Sequence, residues 1–237
     1  MAPVLWVALA LALIVIGLAV AYIAIMLHTY RTYLYGVTSG KLIDVKKMPN
    51  SALLVIDMQN SMLRLDDRQQ PVNSVYARAV ENINLAADRL ADLKSEMIEI
   101  AQVKEKGHIQ TLFLPLIPYS GTKGAGISPS IRLASPAIFT KLRADAFSNP
   151  DLQRYLEEKG VGRLYITGVA AEICVNYTVR GALGRGYEVY VIPEAVVALY
   201  GDRSKERRLR EYAELGAKLV PIEELGRARQ PMVEAIV

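Results

Sequence analysis

Between Ala2 and Leu27 the chain carries no charged side chain, and Ala, Leu, Val and Ile dominate the run. At 1.5 Å per residue this stretch would be roughly 39 Å long as a helix, more than the ~30 Å core of a bilayer. It is too apolar to leave in water and has no polar face with which to lie flat on a membrane. A cleaved signal peptide would need a basic start, a shorter apolar run and a small-residue cleavage site. Here no Lys or Arg precedes the run. The reading is therefore one transmembrane helix over residues 1–28. Trp6 lies near one end and Tyr30, Tyr33 and Tyr35 near the other, where interfacial aromatics belong. The positive charge nearby follows the helix: Arg31, Lys41, Lys46 and Lys47 stand against Asp44. The positive-inside rule then places the rest of the chain in the cytoplasm. A reducing compartment also suits a chain with a single cysteine. The expected organisation is an anchor (1–28), a juxtamembrane tether (29–50) and a soluble domain (51–237).

Composition excludes several classes for that domain. Hydrophobic residues make up 52% of the 237 and charged residues 22%, which rules out intrinsic disorder. One cysteine rules out a disulfide framework, and two histidines leave little for a multi-histidine metal site. The net charge of +4 does not mark a nucleic-acid partner. Beyond residue 47 there are 24 basic and 23 acidic side chains, so the body of the protein is near neutral.

From Ser51 onward, short apolar runs alternate with helical stretches. Ala52–Ile56 is continuously apolar, as a strand buried on both faces should be. Further strands are expected at Ile109–Leu116, Ala137–Thr140, Arg163–Thr167, Glu188–Ile192 and Lys218–Val220. Helices are expected near 150–158, 172–185 and 203–215. Such alternation predicts a mainly parallel sheet covered on both faces, with ligands beyond the carboxyl ends of the strands. One long helix is read over 73–106, where Ile83, Leu90 and Met97 recur every seven residues, as do Ala86, Leu93 and Ile100. Its apolar stripe either covers the sheet or overhangs it as a short coiled coil with a second copy or a membrane-complex partner.

Three side chains follow strands at that edge. Asp57 ends the first, Lys141 follows the run Ala137–Thr140, and Cys174 comes just after the strand Arg163–Thr167, in the opening of the next helix. Each alone is an ordinary feature of a fold. Together they supply a base, a cation and a nucleophile, the set that acyl chemistry requires.

The motifs carrying these residues, LLVIDMQN, KLRADAF and YITGVAAEICVNYTVRGALGRGYEVYVIPEA, resemble those of the isochorismatase-like cysteine hydrolase family over about residues 50–225. The resemblance implies a three-layer α/β/α sandwich around a six-stranded mainly parallel sheet. It makes Asp57 the general base, Lys141 the catalytic lysine and Cys174 the nucleophile. It also implies a cis peptide at Val169–Ala170 and an oxyanion hole built from the amides of Ala170 and Cys174. The implied reaction is hydrolysis of a carbon–nitrogen bond in a small amide through a thioester. In that scheme Lys141 steadies the thiolate and fixes Asp57.

The sequence also departs from the family. Nicotinamidases hold a metal through Asp-x-His and a second His after the first strand, whereas residues 61–67 here contain no His. His28 and His108 lie elsewhere, so neither a metal nor any other cofactor is expected. The family's usual Asp and Phe after the first-strand motif are replaced by Ser61 and Met62. The Gly- and Ser-rich connection Pro118–Ser135 lacks phosphate-loop spacing and reads as a flexible lid or rim. A different class remains open beside the enzyme: an accessory subunit of a membrane complex, using the hydrolase fold as a docking body.

Overall fold

The computed structural model describes residues 2–29, 31, 34–107, 114 and 117–225. Helix α1 (Ala2–Thr29) is followed by strand β1 (Asn50–Ile56), the short helix α2 (Asn60–Leu63), α3 (Ser74–Ala91), β2 (Glu96–Gln102) and β3 (Ala137–Lys141). Then come α4 (Pro150–Glu158), β4 (Val161–Val169), α5 (Cys174–Leu183), β5 (Glu188–Val197), α6 (Asp202–Glu214) and β6 (Lys218–Leu219). All six strands pair in parallel, in the order β3-β2-β1-β4-β5-β6. The chain thus builds outward from β1 in one direction, then returns and builds outward through β4 in the other. The switch point falls between β1 and β4, where ligands bind in sheets of this kind.

Alternation along β1 explains the layers. Ala52, Leu54 and Ile56 pack with α4, α5 and α6, whereas Leu53 and Val55 pack against Ala79, Val80, Ile83, Ala86, Ala87 and Leu90 of α3. Gly168 brings β4 close to β1 at the switch point. It has φ of +106°, and a Cβ there would lie 2.1 Å from Ile56 O. Only glycine fits where the two strands meet.

The long helix expected over 73–106 is two elements. The helix α3 closes with Lys94 at φ of +57°, and the amides of Lys94 and Ser95 bond to Ala91 O and Leu90 O. Residues 96–102 then form β2 between β1 and β3, with Met97, Ile98, Glu99, Ile100 and Ala101 buried. Pairing on both sides outweighs the helical preference of Glu, Met and Ala. The seven-residue recurrence therefore runs across a helix and a strand, and its α3 members face the sheet, so it is no coiled-coil seam. The strand expected at Ile109–Leu116 lies almost wholly outside the described residues, as do Tyr30, Tyr33 and His108.

Helix α1 is long and apolar enough over Trp6–Thr29 to cross a membrane, and its apolar window is not buried in the domain. The stretch expected as a tether is laid along the domain from Leu34 onward. Ala144 N donates to Leu34 O, Ile43 N to Arg185 O, and Asn50 N to Gly160 O.

Candidate active site

Four neighbouring strands each deliver one side chain or turn to the carboxyl edge. Strand β3 ends on Lys141 and β2 on Gln102. Asp57 follows β1, and the turn after β4 runs from Ala170 to Cys174. Asp57 leaves the sheet with φ of +54°, a left-handed conformation that Asp tolerates. Its amide still donates to Ile100 O at 2.8 Å, holding it to the end of β2.

Lys141 Nζ donates to Asp57 Oδ2 at 2.9 Å, and both side chains are buried. The other carboxylate oxygen, Asp57 Oδ1, is buried without a hydrogen-bond partner. Burial alone would lower the pKa of Lys141, but the charge of Asp57, the nearby Cys174 and hydrogen bonds to both outweigh it, so the net shift is upward. Cys174 is also buried. Burial, then the charge of Asp57, pushes its thiol up, and Lys141 opposes this only in part. The three groups expected to form one site are therefore brought together, with the thiol neutral at rest.

Cys174 opens α5, so its N–H is among those left without an intrahelical partner. The Val169–Ala170 peptide is cis. Ala170 O accepts from Ile173 N and Val175 N, which pins the turn before the thiol.

Sequence reasoning missed Gln102. Cys174 Sγ donates to Gln102 Oε1 at 3.6 Å, and Gln102 Nε2 donates to Leu142 O. Gln59, inside the first-strand motif, fixes the Gln102 backbone on both sides: Nε2 donates to Gln102 O, and Gln102 N donates to Gln59 Oε1. A strand reading of 96–102 would have placed Gln102 at this edge beside Asp57.

The segment 118–135 is a fastened rim, not a free lid. Asn60 N donates to Gly126 O, Ser128 N to Met58 O, Gln59 Nε2 to Ala125 O, and Asn84 Nδ2 to Ser130 O. A cavity of about 570 Å³ opens on the same edge between the starts of α3 and α6, lined by Tyr76, Arg78, Leu199 and Lys205 among others. Asp57, Lys141 and Cys174 are not among its lining residues.

A parallel α/β/α sandwich with a buried acid, ammonium and thiol at its switch point has the layout of a cysteine hydrolase. The isochorismatase domain model matches residues 51–224, and the chain belongs to that family. An uncharacterized isochorismatase family protein of Bacillus subtilis is 29% identical over 146 residues, covering 61% of this chain and 76% of its own. A nicotinamidase of Acinetobacter baylyi is 22% identical over 209 residues, covering 74% and 94%. Among solved structures, the pyrazinamidase of Pyrococcus horikoshii in complex with zinc is 27% identical with a TM-score of 0.61, covering 73% of this chain and 99% of its own.

Among the described residues that zinc has no counterpart set of ligands: no group of three His, Cys, Asp or Glu is placed to hold a metal. The loop after β2 instead carries a buried ammonium, Lys104, which donates to Leu114 O and lies 4.4 Å from the Tyr119 ring centre. The described residues do not fit a zinc centre.

Proposed function

We propose that this family member is a membrane-anchored cysteine hydrolase, cleaving the carbon–nitrogen bond of a small amide through a thioester. Helix α1 is its single-pass anchor, and the domain stands on the cytoplasmic side. The observation that carries the chemistry is the buried Asp57–Lys141 pair beside a thiol at the opening of α5. A docking body has no need of all three groups.

In this reading Cys174 Sγ attacks the carbonyl carbon while its proton passes to Asp57 Oδ1, the oxygen without a partner. The amides of Ala170 and Cys174 receive the developing oxyanion, each such donor being typically worth about 2.7–4 kcal/mol. As the carbonyl re-forms, the C–N bond breaks, and Asp57 returns the proton to the departing nitrogen. Water, giving a proton to Asp57, then adds to the thioester. The C–S bond breaks, the acid leaves, and the sulfur recovers its proton. Lys141, hydrogen-bonded to Asp57 Oδ2, keeps the carboxyl group aimed throughout.

The test is ammonia release from a panel of small amides by the full chain in detergent, with intact mass after rapid acid quench. The expected results are turnover abolished in Cys174→Ala and an acyl adduct on the only thiol. Turnover unchanged in Cys174→Ala would overturn the mechanism.

A further inference from the structure

Leu34 shows where the apolar helix delivers the domain. It is buried in a small cluster with Leu114 and Ile117, against which Tyr35 and Leu142 pack. Its carbonyl accepts from Ala144 N. Leu142 and Ala144 directly follow Lys141 at the end of β3, and Tyr35 stacks on Tyr177, one turn along α5 from Cys174, with ring centres 6.0 Å apart. From there the chain runs back across the α4–α5 layer to the amino edge, where Ile43 meets Arg185 and Asn50 enters β1. The anchor therefore joins the domain at the catalytic edge.

Five residue steps separate Thr29 from Leu34, a reach of at most ~18 Å. The amino edge lies a further strand length away, roughly 20 Å. The loops of the catalytic edge also carry exposed apolar side chains: Met62, Val72 and Val75 after β1, and Leu199 and Tyr200 after β5. Val72 is 71% exposed and Tyr200 73%, and tyrosine is a side chain suited to a lipid–water boundary. Arg64 and Arg68 are exposed in the loop after β1, and Lys123 in the 118–135 segment after β2, placed for anionic headgroups. Asp66 and Asp67 stand among them, with Asp66 Oδ1 occupied by the amides of Arg68 and Gln70.

We propose that the carboxyl edge of the sheet, with its catalytic mouth, is held against the lipid surface, and that the amide it cleaves belongs to an amphiphile resident there. This rests on the reading of α1 as an anchor. The occupant of the apolar rim is the bilayer, because a short connection fastens the same edge of the sheet, at the end of β3, to a segment too apolar for water.

The test places full-length protein in nanodiscs of zwitterionic and anionic lipid. In a Cys174→Ala background, single cysteines are introduced at Val72 or Tyr200 on the rim, and at Leu42 or Leu215 away from it, and each is labelled with an environment-sensitive fluorophore. Nitroxide-bearing lipids quench whatever lies at the surface. Trp6, the only tryptophan, reports on α1 in the same samples. The expected result is quenching of Trp6 and of both rim labels, the latter at least about threefold more than the distant labels. Quenched Trp6 with equal quenching at all four labels overturns the orientation alone. Unquenched Trp6 overturns the anchor and the orientation with it. Rim labels shielded from an aqueous quencher but untouched by lipid nitroxides overturn the proposal in favour of a protein partner.

Discussion

Lys141 Nζ sits 2.9 Å from Asp57 Oδ2, so the lysine charge is matched to a carboxylate before it reaches Cys174. The thiol then experiences burial and the Asp57 charge, which both raise its pKa, more strongly than it experiences Lys141. Nucleophilic sites often rest as a thiolate beside a cation. In the proposed reaction deprotonation belongs to the attack itself, with Asp57 as the acceptor.

A sign follows that a resting thiolate would reverse. Asp57→Asn removes the charge that raises the thiol pKa and leaves Lys141 with Cys174 as its remaining partner. The thiol pKa falls, and a tenfold larger thiolate fraction makes alkylation by iodoacetamide near neutral pH about tenfold faster. Amide turnover falls by about 10²–10⁴ in the same protein, because the base is gone. Lys141→Met moves alkylation the other way. With one cysteine in the chain, intact mass against pH reads all three proteins. Slower alkylation in Asp57→Asn than in the parent would refute this ordering.

Gln102 is a positioning residue for the thiol, since its amide is held by Leu142 O while its oxygen accepts from Sγ. Gln102→Ala removes one hydrogen bond of about 1–1.5 kcal/mol and lowers kcat about tenfold with KM little changed. Gln102→Glu keeps the acceptor but adds a negative charge beside Asp57, so its thiol alkylates at higher pH than the parent's. A purely structural role would change both variants alike and leave the alkylation profile where it was.

If the catalytic mouth faces lipid, the thiol meets amphiphiles before it meets water-soluble amides. In proteoliposomes of the full chain, N-hexadecyl chloroacetamide labels Cys174 at least about tenfold faster than N-methyl chloroacetamide at equal total concentration, since each buried CH₂ contributes about 0.8 kcal/mol to partitioning. A cysteine at Leu215, on the opposite edge, shows no such preference in a Cys174→Ala background. Equal preference at both positions means that partitioning alone selects the reagent.

Local signals made most of this arrangement legible. ALLVI announces β1 because every residue from Ala52 to Ile56 is buried. Asp57, Lys141 and Cys174 are recognisable as residues that follow strands, and the structure brings them together. The second strand was hidden because α3 stops without Gly or Pro: the left-handed residue is Lys94. Glu, Met and Ala in β2 also read as helix until pairing with β1 and β3 is known. Losing β2 as a strand concealed Gln102. The packing of residues 34–48 could not be read either, because it depends on Asp145 and Arg185, which are more than 100 residues away in sequence.

That packing sets the last prediction. Asp145 is fully buried and accepts from Thr38 N at 2.8 Å, Thr38 Oγ1 at 2.6 Å and Phe147 N at 2.9 Å. Arg185 donates to Thr38 O and Ser39 O on the same segment. Asp145→Ala strands these donors in the interior, at a cost of about 3–5 kcal/mol. Gly181→Ala tests the same clamp without touching its polar groups, because a Cβ there would lie 2.6 Å from Asp145 Oδ2. Overpacking of this kind costs about 1–3 kcal/mol. Burial, opposed by the Thr38 and Phe147 hydrogen bonds and by Arg185, leaves the Asp145 pKa raised above 3.8. The folded state therefore holds the Asp145 proton more tightly than the unfolded state does. Its contribution is fully present below pH 3.8 and is lost as pH rises through the raised folded value. Hydrogen exchange over residues 34–45 measures the clamp directly. Both variants should lose protection there, and mild acid should not loosen the parent. Protection unchanged in Asp145→Ala would mean that the segment is held by its apolar contacts alone.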